Sequence, residues 1–201
     1  YRARYESVSW RGFVEAFNLP YTPGDQPAWK AGELLLARTP ASREIFTSTT
    51  GTNKMNFVAT NAANLRTPLA AADNTVATNI INYTRGTDLT RYRDRDDWKL
   101  GDIVDSSPVA VGKPSQGYDF LNYGSFRAAN LNRTEVIYVG ANDGMLHCFN
   151  AADGAERWGY IPKNQLPRLS LLMNNAYCHN YFVNAPPAVY DIHNGSTWKS
   201  V

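Results

Sequence analysis

Residues 136–162 read VIYVGANDGMLHCFNAADGAERWGYIP, three β-rich runs separated by two turn signals. Val136 to Val139 is the first run. Asn142-Asp143-Gly144 supplies residues that tolerate positive φ, as a tight hairpin requires. Met145 to Phe149 returns, Asp153-Gly154 turns the chain again, and Glu156 to Ile161 leaves with Trp158 aboard. A small meander that recurs elsewhere in a chain is the pattern of a propeller blade.

The recurrence is present. Gly12-Phe13-Val14-Glu15-Ala16-Phe17-Asn18 aligns with Gly144-Met145-Leu146-His147-Cys148-Phe149-Asn150: Gly, apolar, apolar, polar, small, Phe, Asn. A turn and then a tryptophan follow each copy, Trp29 in one and Trp158 in the other. Ser107-Pro108-Val109-Ala110-Val111 echoes Pro186-Pro187-Ala188-Val189-Tyr190, a proline entering a β-rich strand. Proline has no N–H for a sheet ladder, so Pro108 and Pro187 fit a first strand residue or an unpaired edge. A β-sandwich with edge prolines is the alternative, and the tryptophan spacing favours blades. We expect an all-β fold with short inserted helices, a partial β-propeller over residues 1–201. Two full or nearly full units and the start of a third are legible, against about 4–8 four-stranded blades in a closed propeller. The chain starts at Tyr1 without Met and stops inside a strand-like run, so it reads as truncated at both ends.

Around this frame, Val8 to Leu19 is strand-like and Ala28 to Arg38 has helical spacing. Arg43 to Thr47 and Lys54 to Thr60 read as strands. Asp73 or Asn74 caps a helix that Gly86 stops. Ile103 to Val111 reads as one strand and 112–133 as a long connection. Residues 163–180 read as loop with a helical turn at Leu169 to Met173, and Tyr181 to Ile192 as extended. Asn194-Gly195 turns into Thr197 to Val201.

The 201 residues are 43% hydrophobic, enough for a sizeable core. No run approaches the roughly 18–20 apolar residues of a membrane span, and no signal peptide is visible. Twenty basic and 18 acidic residues leave a net charge of +2. The run Arg91-Tyr92-Arg93-Asp94-Arg95-Asp96-Asp97 interleaves both signs, which predicts a solvated, ion-paired loop rather than a nucleic-acid surface.

Catalytic and metal motifs are absent from the sequence. There is no G-x-S-x-G elbow, P-loop or Rossmann fingerprint. The Asp94 loop fails an EF-hand register, and Asn142-Asp143-Gly144 reads as a hairpin turn. Cys148 and Cys178 form no CxxC pair, and each adjoins a histidine. Neighbouring strand residues face opposite ways, so His147 and Cys148 do not suit one metal. A disulfide and two buried thiols both remain open. Trp29 and Trp158 read as packing wedges between blades; for Trp10, Trp98 and Trp198, packing and a sugar-stacking surface both stand.

Several strings together resemble one family. Trp98-Lys99-Leu100-Gly101-Asp102-Ile103-Val104-Asp105-Ser106-Ser107-Pro108-Val109 is similar to the LGDI-x-x-SSPV signature of the PilY/PilC family of type IV pilus biogenesis factors and tip-associated adhesins. Tyr138-Val139-Gly140-Ala141-Asn142-Asp143-Gly144-Met145-Leu146-His147 resembles its next hallmark. Arg43-Glu44-Ile45-Phe46-Thr47, Tyr83-Thr84-Arg85-Gly86, and Tyr177, His179, Tyr181, Phe182 and Val183 resemble three more, all in the family's order. The resemblance implies a modified, quinoprotein-like propeller. Its structural motif residues would be Gly101, Asp102, Ser106, Ser107, Pro108, Gly140, Asn142, Asp143, Gly144 and Trp158, with no catalytic residue and no metal ligand in this stretch. Cys148, Asn150 and Asn184 depart from the family pattern; Cys148 and Cys178 both read as additions to it, and on that basis a Cys148–Cys178 disulfide becomes the expectation. Calcium is implied for the full-length protein, outside these residues. The implied role is assembly, retraction control and surface adhesion at an extracellular pilus tip or the outer membrane, after export through the periplasm. Pilins or minor pilins and a host or abiotic surface would be the partners. A quinoprotein-like dehydrogenase using pyrroloquinoline quinone and calcium, and a carbohydrate-binding propeller, are the alternatives.

Overall fold

The computed structural model describes residues 1–201. Arg2–Glu6 (β1), Arg11–Ala16 (β2) and Trp29–Lys30 (β3) form an antiparallel three-stranded sheet. Helix α1 (Ala31–Ala37) follows directly. Ile45–Thr47 (β4) and Met55–Asn56 (β5) come next, then two helices, α2 (Ala62–Leu65) and α3 (Asn74–Arg85). Val109–Val111 (β6) precedes α4 (Tyr123–Ala129). The opening run supplies Val136–Gly140 (β7), Leu146–Asn150 (β8) and Glu156–Ile161 (β9). A 3-10 run over Lys163–Met173 leads to a terminal hairpin, Asp191–His193 (β10) with Trp198–Ser200 (β11).

Strands β6 to β9 are a four-stranded antiparallel meander. Strand β4 adds to it in parallel, pairing Ile45 with Gly159 and Thr47 with Ile161, and β5 completes a six-stranded sheet. The three sheets do not join into a closed ring.

The aligned heptapeptides occupy equivalent places. Strand β2 is central in its sheet and β8 lies inside the meander. Ala16 pairs with Trp29, and Cys148 pairs with Trp158. The three-stranded sheet lies against the inner face of the meander. Val14, Ala16, Trp29 and Leu35 share a core there with Leu100, Ile137, Val139 and Phe149. Trp29 is the wedge. Its indole N–H donates to the Ala151 carbonyl at 3.0 Å. Its ring lies so close to Gly154, at φ 74°, that a Cβ there would sit 2.5 Å from it. A second core covers the rest of the inner face. Helices α2 and α3 and the 3-10 run press Leu65, Leu69, Ile80, Ile81, Leu166 and Leu169 onto Ile45, Met145 and Ile161.

Helix α3 follows its sequence signals. The Asp73 carboxylate accepts from Val76 N at 2.8 Å, satisfying one of the first-turn donors, and Gly86 ends the helix at φ 116°. Other elements depart from expectation. The strand-like region from Val8 to Leu19 is a hairpin arm, because the chain bends at 7–10 and β1 precedes it. Of Ile103 to Val111, only Val109–Val111 enters the ladder; the part before Pro108 is tied down by side chains. Lys54 to Thr60 pairs at Met55–Asn56, with one further bond from Phe57 N to the Ile45 carbonyl, and Tyr181 to Ile192 pairs only near its end. Helices α2 and α4 lie in stretches without a legible period.

Truncating the wedge measures the contact between the sheets. Trp29→Ala is expected to lower stability by about 3–5 kcal/mol, the usual cost of a buried tryptophan, as read from the urea midpoint. An unchanged midpoint would place the indole outside the core.

Candidate functional site

The polar residues of the two longest motif strings meet at the β7–β8 turn. Asn142 N donates to the Asp102 carbonyl at 2.9 Å, and its side-chain amide donates to Asp102 Oδ2 at 2.6 Å. Asp143 Oδ2 accepts from Gly101 N at 2.9 Å, and Asn142 Oδ1 accepts from Phe182 N at 2.8 Å. Ser106 Oγ accepts from Gly140 N at 3.0 Å and donates to the Ala185 carbonyl at 3.1 Å. Backbone runs this close only where side chains are absent: a Cβ on Gly101 would lie 2.4 Å from Asp143 N. Ser107 is exposed, and Pro108 stands just before β6, where the ladder requires nothing of its nitrogen.

Below this turn, four charged side chains form a buried chain. His147 Nε2 lies 3.0 Å from Asp143 Oδ2, and its Nδ1 lies 3.0 Å from Glu156 Oε1. The Arg43 guanidinium grips Glu156 through two hydrogen bonds of 2.8 Å and donates a third to the Arg85 carbonyl. Arg85 in turn donates to the carbonyls of Phe57, Pro40 and Arg43. A β-bulge makes the arrangement possible. Opposite Cys148 and Phe149, β9 carries one extra residue, Arg157. The extra residue turns Glu156 onto the face of His147, and without it strict alternation would aim Glu156 the other way.

Burial alone would push the His147 imidazole down, but the Asp143 and Glu156 carboxylates overcome it and raise it to about 9. Burial pushes Glu156 up, and the Arg43 charge and hydrogen bonds reverse that, holding it well below the usual carboxylate range. Asp143 is held low against its own burial by His147, with help from Gly101 N. Both imidazole nitrogens meet carboxylate oxygens, and both Glu156 oxygens meet Arg43. The arrangement braces two segments of chain.

A second cluster lies nearer the surface. Asp102 Oδ2 also meets His179 Nε2 at 2.8 Å. Trp10, at φ 54°, stacks on the His179 ring with centroids 3.7 Å apart, and Tyr181 meets the ring edge-on. Trp10 thus closes the β1–β2 turn onto the loop after the 3-10 run. The sequence carried the histidine as part of a motif and gave no sign of its tryptophan partner. No three His, Cys, Asp or Glu side chains converge in a metal-binding group. No helix is long and apolar enough to cross a membrane.

The expected disulfide is not formed. Both cysteines are free, Cys148 buried and Cys178 exposed. Cys148 points away from His147, toward Tyr138 and Trp158 on the outward face of the meander. Cys178 sits in the loop whose Tyr177 packs on the helical core and whose His179 reaches Asp102, on the inner side. Trp158 is likewise not between the two sheets; it lies half-buried beside Tyr138 on the outward face.

Residues 100–192 match the PilY1 beta-propeller domain. These residues belong to the PilY1 beta-propeller domain family. It is 35% identical over 195 residues to the type IV pilus biogenesis factor PilY1 of Pseudomonas aeruginosa strain UCBPP-PA14, a match covering 86% of this chain and 17% of that protein. It is 32% identical over 223 aligned positions to a PilY1 homolog of Xylella fastidiosa, covering 100% of this chain and 17% of that protein. The PilY1 of Pseudomonas aeruginosa strain PAK is 39% identical over 113 residues, 51% of this chain. The chain therefore spans about a sixth of the length of these two longer-matching relatives. No solved structure matches. The open sheets are part of a PilY1 β-propeller, and the stretch shared with the domain holds both strings joined at Asn142 together with the whole meander.

The buried chain predicts a pH profile. His147 is raised on folding, so its contribution is full below about pH 6.5 and is lost as pH rises through about 9. Asp143 and Glu156 are lowered, so theirs is full above about pH 4.5 and fades in acid. Thermal midpoints should be highest between these limits, and His147→Gln should abolish the alkaline decline; a decline that persists in the variant would trace to other groups. The cysteines give a second check. Burial raises the Cys148 thiol to about 11, so alkylation of the folded chain should modify Cys178 first and Cys148 only on unfolding. A single intramolecular disulfide in the intact mass would contradict the structure.

Proposed function

We propose that the chain is a non-catalytic structural and adhesive module of a type IV pilus factor. It acts at the extracellular pilus tip or the outer membrane, after export through the periplasm. There it supports pilus assembly, counters retraction and contacts a host or abiotic surface, with pilins or minor pilins as partners. Any calcium dependence belongs to residues outside this stretch. The reading rests on the kinship with proteins named type IV pilus biogenesis factors. The observation that carries its non-catalytic part is the use of the buried acids and bases. Asp143, His147, Glu156 and Arg43 are spent on one another, and Asp102 is held by Asn142 and His179.

The test is an in-frame deletion of the codons for residues 100–192 in the natural gene. We expect loss of surface pili with the pilin pool intact, and recovery of pili when retraction is disabled. Unchanged piliation would overturn the assembly role. Stoichiometric binding of pyrroloquinoline quinone by the purified full-length polypeptide would replace the proposal with the dehydrogenase reading.

A further inference from the structure

Three hairpin turns carry a glycine at positive φ directly after an Asp or Asn: Asp143-Gly144, Asp153-Gly154 and Asn194-Gly195. The backbone nitrogen after an asparagine can attack the side-chain carbonyl carbon and close a five-membered ring. It is least obstructed when it belongs to glycine, which has no Cβ. The first two turns are walled in. A Cβ on Gly144 would lie 2.6 Å from Leu169 Cδ2, and one on Gly154 would lie 2.5 Å from the Trp29 ring. Both also carry a carboxylate, which resists nucleophilic attack. The third turn is the one Asn-Gly pair of the sequence. A Cβ at Gly195 would meet nothing within 4 Å, and residues 194–197 are exposed.

The hydrogen bonds of this turn lay out a nucleophile, a base and an oxyanion site. Asn194 Oδ1 accepts from Ser196 N at 3.1 Å and from Thr197 N at 2.9 Å, so the carboxamide is folded back over Gly195. Two backbone donors on one carbonyl oxygen are the arrangement that stabilises a developing oxyanion. Gly195 N donates to His193 Nδ1 at 3.3 Å, so the imidazole stands on the proton that the nucleophile has to lose. The ring is held in place from the partner strand. His193 pairs with Trp198 across the hairpin, with ring centroids 5.4 Å apart. Trp198 is fixed in turn by Tyr118, Tyr123 and an indole bond of 2.8 Å to the Leu121 carbonyl. The Asn194 Nδ2 amide makes no hydrogen bond within the protein, so nothing retains the leaving nitrogen.

We infer that Asn194-Gly195 is a self-modifying site, at which the folded hairpin converts the Asn194 carboxamide to a succinimide. Gly195 N forms a bond to Asn194 Cγ while His193 Nδ1 takes its proton, and the oxygen of the tetrahedral intermediate rests on Ser196 N and Thr197 N. The bond from Cγ to Nδ2 then breaks, His193 returns the proton to Nδ2, and ammonia leaves. Water opens the ring at either carbonyl, giving aspartate or isoaspartate without oxidant or cofactor. Both products add a negative charge to the turn. Isoaspartate also adds a methylene to the main chain, which lengthens the turn that sets the β10–β11 register.

Peptide mapping by mass spectrometry tests the assignment on the full-length polypeptide that carries this sequence, incubated folded at neutral pH. A synthetic peptide of residues 188–201 gives the rate without the fold. Conversion at residue 194 should run about a hundredfold faster in the protein than in the peptide, the low end of what a positioned base supplies. The variant H193F keeps a ring against Trp198 and removes the base, and it should fall back to the peptide rate. If H193F does not fold, H193Q is read in its place. Conversion in the folded protein no faster than in the peptide would overturn the inference. So would an undiminished rate in a folded His193 variant.

Discussion

His147 stands at the seam between two hydrophobic cores, and the rest of the molecule is arranged around making it tolerable there. Met145, just before β8, and His147 and Phe149 within it lie on one face. Met145 belongs to the helical core and Phe149 to the core shared with the three-stranded sheet. A buried imidazole between two apolar clusters is costly unless its charge and its hydrogen bonds are answered. Asp143 answers one nitrogen and Glu156 the other, and Arg43 balances the second carboxylate. Removing any one partner leaves the others uncompensated in a dry interior, a loss of about 3–5 kcal/mol by the general behaviour of buried pairs. The chain of charges therefore contributes specificity of assembly more than net stability. It fixes which residue of β9 faces inward, and it brings Arg43 and β4 to the edge of β9.

That last step has a topological consequence. Strand β4 is more than one hundred residues from β9 in the chain, yet it pairs with it in parallel. A parallel partner cannot arise from a hairpin and requires a long-range contact to select it. Arg43, two residues before β4, supplies such a contact through Glu156 and the Arg85 carbonyl, and Arg85 ends helix α3. One ionic cluster thus ties the meander, the extra strand and the helices together. The apolar clusters on either side give the driving force but are non-directional, so they leave register to the charges.

Local chemistry was legible in the sequence and long-range pairing was not. The two turns of the meander, the capped helix after Asp73 and the heptapeptide repeat each follow from residues within a few positions of one another. Glu156 resisted reading because its orientation depends on a bulge, and a bulge leaves no period to detect. Arg43 was visible only as one letter of a strand motif. The cysteine pairing failed for a similar reason. The resemblance suggested two additions that belong together, while the strand period already put Cys148 on the face opposite His147, and the histidine beside Cys178 ties that loop to the inner side. Strand β4 beside β9, and helices α2 and α4 in polar stretches, are tertiary outcomes with no local signature.

The motif strings owe their fixed letters to accounting for buried backbone. Leu100 to Ser106 and Gly140 to His147 are separated by more than thirty residues, but they behave as one hydrogen-bonded body. Wherever the 100–106 segment crosses the β7–β8 turn, a buried N–H or C=O has to find a partner. Asn142 answers the Asp102 carbonyl and Phe182 N, Asp143 answers Gly101 N, and Ser106 answers Gly140 N and the Ala185 carbonyl. Each of these side chains serves a specific backbone atom at a fixed distance, and glycine is required where the segments come closest. Such a set of polar residues would look in sequence like the remains of an active site, with an Asp, a His, a Ser and an Asn at set spacings. The hydrogen bonds that define it run between segments of the protein itself.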